Sequence, residues 1–197
     1  MTDVFRPRRS VWRLLFDWFS RRGRLSAGER LAQRLFGDPD QAEKMAEHFI
    51  HTQIEPDYQA FLETQEFFFI ATADRSGRCD CAFRGADPES QEAGYPALLI
   101  PDPETLLFPD FSGNGMYQSF GNLLVNPWIG MLFIRFETAQ RMRVNGRAEI
   151  VDEPAAAQKL FGPQALRMVR VHVEEVFVNC SQRIPRLQAI EGVREGK

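Results

Sequence analysis

Cysteine is scarce in this 197-residue chain, which has three: Cys79, Cys81 and Cys180. An odd count without a C-x-x-C pair argues against a disulfide framework and against a zinc knuckle. Histidine is as sparse. His48, His51 and His172 fit no H-E-x-x-H or mixed His/Cys spacing, so no protein-bound metal is expected. A reducing cytoplasm suits such a chain. The net charge is only -3, which gives no global pull toward nucleic acid or anionic membrane. Nor does any stretch reach the roughly 18 apolar residues of a membrane span. Two further absences bear on chemistry. No nucleophile–His–Asp arrangement is visible, and the paired acids Glu174 and Glu175 read as a solvated strand edge or end rather than a catalytic dyad.

Against these absences stands an ordinary globular composition, 44% hydrophobic and 26% charged, sufficient for a real core. Phenylalanine is abundant at 17 residues, which predicts an aromatic-rich core or interface. Residues 4–24 carry seven arginines and one acid, Asp17, interleaved with Trp12, Leu15, Phe16, Trp18 and Phe19. That pattern is a basic amphipathic helix. Packing of its Trp/Phe face on the domain or a partner subunit is the favoured reading, and contact with a membrane surface the other. It lacks the apolar run and cleavage site of a secretory signal.

Residues 1–65 read as a helical N-terminal extension. Ser26-Ala27-Gly28-Glu29 has the form of a capping box, and Asp38-Pro39 that of an N-cap followed by proline at the first helical position. Met45, Phe49 and Ala42 give the second helix an apolar stripe, with His48 and His51 facing solvent beside it. A short helix around Tyr58, Phe61 and Leu62 ends near Thr64. From residue 66 to 197 the pattern changes to strands. Phe67–Ala73 is an almost unbroken apolar run, as in a strand buried on both faces. Asp74–Gly77 makes a hairpin turn, and Cys79–Arg84 returns with both cysteines on one face as small buried residues. Further strands cover Ala97–Ile100, Thr105–Pro109, Ile129–Phe136, Arg141–Val151 and Arg167–Asn179. Strands joined mostly by tight turns predict an α+β, mainly β, antiparallel barrel with flanking helices. Asn145-Gly146 could be a hairpin turn, yet the period-2 alternation runs through it unbroken. The glycine therefore reads as a bulge or a close backbone approach.

One junction stands out, FPDFSGNGMYQSFGNLLVNP, residues 108–127. A strand end stopped by Pro109 passes through Gly113-Asn114-Gly115 into one or two helical turns, which Pro127 halts. Such a junction exposes backbone N–H groups at the positive end of a helix dipole, which suits an anion. Turn chemistry alone also explains these residue types.

The motif order FFFIATADRSGRCDCAFRG, LLFPDFSGNGMYQSFGNLLVNPWIGMLFI, RMRVNGRAEI and VFVNCSQRIPR resembles the FMN-binding split barrel of the pyridoxamine 5′-phosphate oxidase superfamily, nearest its uncharacterised branch. The resemblance covers about residues 66–186. It implies an antiparallel split barrel binding FMN in a homodimer, with two flavins at the subunit interface. Asn114, Gly115, Ser119 and Asn122 would hold the phosphate and ribityl chain, and Arg84, between Phe83 and Gly85, would pair with the phosphate. Pro109 and Asp110 would lie beside the flavin. Arg141 would reach the ring from the partner subunit, and the tail from Cys180 through Arg183 would close over it. Gln118 and Ser119 stand where true oxidases place an Arg-Lys pair, so the phosphate would rest on Arg84 and the helix dipole. The C-terminal arginine motif of vitamin B6 oxidation is absent. The implied activity is electron transfer between a reduced donor such as NAD(P)H and a small organic acceptor, or oxidation of a small amine. A flavin carrier or sensor without turnover, and a haem-binding split barrel, are the alternatives.

Overall fold

The computed structural model describes residues 25–179 and 182–188. The basic aromatic segment, residues 4–24, and Cys180 lie outside the described residues. The chain divides into two compact units, which meet between Ile50 and His51.

The described part of the first unit holds two helices. α1, Ala27–Phe36, begins with the expected capping box: the Ser26 hydroxyl accepts from the Glu29 amide, and the Ser26 amide donates to the Glu29 carboxylate. α2, Pro39–Phe49, starts with Asp38 accepting from the Asp40 and Gln41 amides, ahead of Pro39 at the first position. α1 buries no residue, and α2 buries only Ala46, while Met45 remains exposed. The apolar stripe expected on α2 thus buries through its smallest neighbour, not through Met45. His48 is exposed, whereas His51 lies beyond the helix and bridges to Val176 through its backbone.

The second unit opens with α3, Pro56–Leu62, whose Leu62 is fully buried in the main core. Seven strands follow: β1 Phe67–Ala73, β2 Cys79–Gly85, β3 Leu99–Asp102, β4 Thr105–Asp110, β5 Trp128–Arg135, β6 Gln140–Val151 and β7 Arg167–Asn179. Three helices interleave: α4 Pro88–Glu92, α5 Gln118–Val125 and α6 Pro154–Phe161. The strands form one sheet in the order β2-β1-β5-β6-β7-β4-β3, with every pairing antiparallel.

Ring packing shows that this sheet curls into a barrel. β1 and β4 are four strand spacings apart, about 19 Å along a flat sheet. The rings of Phe68 on β1 and Phe108 on β4 nevertheless meet edge to face at 5.4 Å, with Phe133 5.1 Å from Phe68 on the other side. All three are essentially inaccessible to solvent, and with Val144, Val171 and Val176 they form one interior. This is the split-barrel architecture. A second apolar layer covers the outside of β4 and β7, where α6 sets Ala157 and Phe161 against Leu107 and Met168. No helix among the described residues is long and apolar enough to cross a membrane.

Two local devices fix the register. In the β1–β2 turn the Asp74 carboxylate accepts from the Ser76 amide and hydroxyl and from the Arg78 amide and guanidinium. Gly77 supplies the positive φ of 84°. In the middle of the sheet, Asn145 pairs with Glu175 but Gly146 pairs with Val173, so β7 carries one extra residue, Glu174. The bulge switches the inward positions of β7 from Val171 and Val173 to Val176. A Cβ at Gly146 would lie 2.1 Å from the His172 carbonyl oxygen, so only glycine fits there. The unbroken alternation through Asn145-Gly146 is therefore a strand with a close backbone approach, as the sequence predicts.

Two expectations are corrected. β1 is buried on one face, through Phe68, Ile70 and Thr72; Phe67 and Phe69 are half-buried and Ala71 is exposed. Cys79 and Cys81 are exposed rather than buried, and both thiols are free. The register explains this. Ala82 pairs with core-facing Ile70 and so points inward, while Cys81 pairs with Ala71 and shares its outward direction. β2 is also an edge strand of the sheet.

Candidate functional site

β2 ends beside the end of β4, and α5 begins across from both. The three segments enclose an open cleft of about 520 Å³, lined by residues 80–88 and 109–120. That volume lies within the range of small-molecule sites, about 300–1,000 Å³.

The far wall is an unusual helix start. Residue Tyr117 precedes α5 in the left-handed conformation, with φ 50°, and no side chain caps the first turn. The Asn114 side chain accepts from the Met116 amide, and Gly115 has φ 76°, so the loop turns back twice before the helix. Among the described residues no side chain caps the leading amides of α5, which stand at the positive end of the helix dipole. Gly113 and Gly115 leave open space where a Cβ would stand.

The near wall carries charge. Arg84 donates from Nη1 to the Phe83 carbonyl at 2.7 Å. Burial pushes its pKa down, opposed by the neighbouring carboxylates of Asp110 and Asp80. Burial likewise raises the pKa of Asp110, opposed by Arg167 and then Arg84. Ser119 is buried and donates its hydroxyl to Asp80 at 2.7 Å, tying α5 to β2. Asp80, Asp87 and Asp110 share the lining with a single arginine.

Eight of the residues singled out from the sequence line this cleft together: Phe83, Arg84, Gly85, Pro109, Asp110, Asn114, Gly115 and Ser119. Four do not. Asn122 lies one turn further into α5 and donates to the Thr72 hydroxyl at 3.0 Å. Arg141 sits on β6 opposite Ile134, with its Nε buried and unpartnered among the described residues. Arg183 is exposed with φ 70°, and Cys180 is outside the described residues. Sequence reasoning missed Asp80, which occupies the Ser119 hydroxyl from 39 residues away, and Arg167, which backs Asp110.

A family model described as pyridoxamine 5′-phosphate oxidase matches residues 54–192 of the chain. The protein belongs to the pyridoxamine 5′-phosphate oxidase family. No curated protein matches it. Among solved structures it is similar to HupZ from Group A Streptococcus, at 20% identity and TM-score 0.49, covering 68% of this chain and 99% of that one. It is similar also to a putative pyridoxamine 5′-phosphate oxidase from Lactobacillus delbrueckii, at 19% identity and TM-score 0.48, covering 64% and 95%. A third is HutZ from Vibrio cholerae, described as a haem-storage protein, at 19% identity and TM-score 0.45, covering 64% and 94%.

Proposed function

We propose that the cleft is an FMN site and that the protein is an FMN-dependent oxidoreductase. It passes electrons between a reduced donor such as NAD(P)H and a small organic acceptor. The observation that carries this reading is the uncapped start of α5 opening into the same cleft as Arg84. Free amides and a guanidinium on facing walls make a phosphate cradle. The residues fit the group through the α5 amides and Arg84, although three aspartates against that one arginine leave the side-chain charge of the lining negative. In this reading Arg84 and the α5 amides hold the phosphate, and Asn114 and Gly115 shape the loop around it. Pro109, Asp110 and Phe83 border the flavin. When bound, the flavin supplies the two-electron chemistry, and the protein positions it and excludes competing reactions.

The site belongs to a homodimer in this proposal. Phe83 is 60% exposed at the cleft rim and stacks on Phe67 at 5.5 Å, an aromatic surface suited to a second copy of the chain. Arg141 and the segment around Arg183 would then complete the site from the partner subunit. The two exposed thiols on β2 favour a reducing compartment, the cytoplasm.

The visible absorption spectrum of the purified protein tests this. The expected result is a pair of oxidised-flavin bands, bleached anaerobically by NADH or NADPH and restored by an acceptor. A Soret band, or a featureless spectrum that added FMN leaves unchanged, would contradict the flavin assignment. Flavin bands that no donor bleaches would leave a flavin carrier in place of an oxidoreductase.

A further inference from the structure

Arg167 is the first residue of β7 and directly faces Asp110, the last residue of β4, across the sheet. The pairing is locked from the backbone, since the Leu166 amide donates to the Asp110 carbonyl at 2.9 Å. The Arg167 Nε lies 3.7 Å from the Asp110 carboxylate and 3.8 Å from that of Asp152. It is buried and has no hydrogen-bond partner among the described residues. Its guanidinium also stands 5.9 Å from the ring centroids of both Tyr117 and Phe120, within cation–π range. Those two aromatics flank the uncapped start of α5. One side chain thus lies within interaction range of Asp110 and of the two aromatics at the start of α5 without lining the cleft.

We propose that Arg167 is the positioning residue that makes this cleft accept an anion: it neutralises Asp110, leaving Arg84 for the ligand, and braces Tyr117 at the start of α5. The inference rests on the FMN reading and deepens it. With Arg84 as the one arginine in the lining and Asp80 and Asp110 beside it, a phosphate would meet more repulsion than attraction from the side chains. Arg167 alters that balance. It pairs with Asp110 without lining the cleft, so Asp110 need not take the charge of Arg84. The strain of a non-glycine residue in the left-handed region at Tyr117 needs support from its surroundings, and the ring contact supplies some.

A double-mutant cycle on the full-length protein tests this, with FMN and riboflavin binding measured by flavin fluorescence on Arg167→Gln, Asp110→Asn, the double variant and Arg167→Lys. Arg167→Gln should weaken FMN roughly tenfold while leaving riboflavin unchanged, because the lost charge acts on the phosphate alone. Asp110→Asn should tighten FMN, the double variant should bind FMN about as tightly as Asp110→Asn alone because Arg167 then has no carboxylate left to neutralise, and Arg167→Lys should keep most of the FMN preference. Equal weakening of both ligands by Arg167→Gln, or effects that simply add in the double variant, would overturn the proposal. Should Arg167→Gln fail to fold, Asp110→Asn decides: failure to tighten FMN overturns the proposal. If the wild type itself shows no preference for FMN, the phosphate reading falls first. If it does show one and the variants leave that preference alone, only the role of Arg167 falls.

Discussion

Along β4, Leu106 and Phe108 are fully buried in the barrel, whereas Asp110, two residues further on the same face, ends in the cleft between two arginines. The barrel interior and the cleft wall are thus continuous, and one strand serves both. The interior is set by period-2 alternation and by ring packing, with Phe68, Phe108 and Phe133 filling the space between strands distant in the sheet. The cleft is set by departures from that pattern. A carboxylate takes an inward position, a tyrosine adopts a left-handed backbone, and a helix starts without a cap. These departures gather where β2, β4 and α5 border the cleft.

Two glycines break or sharpen this contrast most directly. Gly146 lies in the barrel wall, where an added Cβ would strike the His172 carbonyl at 2.1 Å. Gly146→Ala should therefore cost about 3 kcal/mol or more in chemical denaturation, or prevent folding. Gly121 lies in α5 beside the cleft, with nothing within 4 Å of an added Cβ. Gly121→Ala should be neutral or stabilise by up to about 1 kcal/mol, since alanine is the better helix former. Similar costs at the two positions would remove the distinction between a tightly packed wall and an open site.

A smaller effect separates the hairpin from the cleft by pH. Four donors from Ser76 and Arg78 hold the Asp74 carboxyl far below the usual carboxylate range. A depressed folded-state pKa means the stabilisation is fully present above the unfolded value, about 4, and is lost as pH falls below it. Asp74→Asn should lower the melting temperature at neutral pH, and the gap to wild type should close as pH drops below about 4. A gap independent of pH would assign the effect to turn geometry rather than to charge. Asp110 shows the opposite sign, its pKa raised by burial. Burial disfavours its ionised form, and Arg167 and then Arg84 offset that cost.

Much of the barrel was legible in the sequence. The Asp74–Gly77 turn, the bounds of β7 and the role of Gly146 all follow from alternation and turn chemistry. Alternation also placed Cys79 and Cys81 on one face, but it cannot say which face is inside. Only pairing with Ala71 and Ile70 decides that. The junction leading into α5 was visible through its glycines and asparagines. Its electrostatics were not, because the Asp80–Ser119 bond and the Asp110–Arg167 pair join residues far apart in the chain. Arg167 could have been found only by registering β4 against β7, which two separate strand assignments do not supply.

The central claim is that the cleft recognises a flavin through its phosphate, and calorimetric titration with FMN and riboflavin tests it most directly. The wild-type protein should bind FMN more tightly than riboflavin. Arg84→Ala should lose roughly ten- to a hundredfold of that preference, as expected for a charge-assisted hydrogen bond of about 1.5–3 kcal/mol. Equal affinity for the two ligands in the wild type would contradict the account, because neither Arg84 nor the α5 amides would then be holding a phosphate.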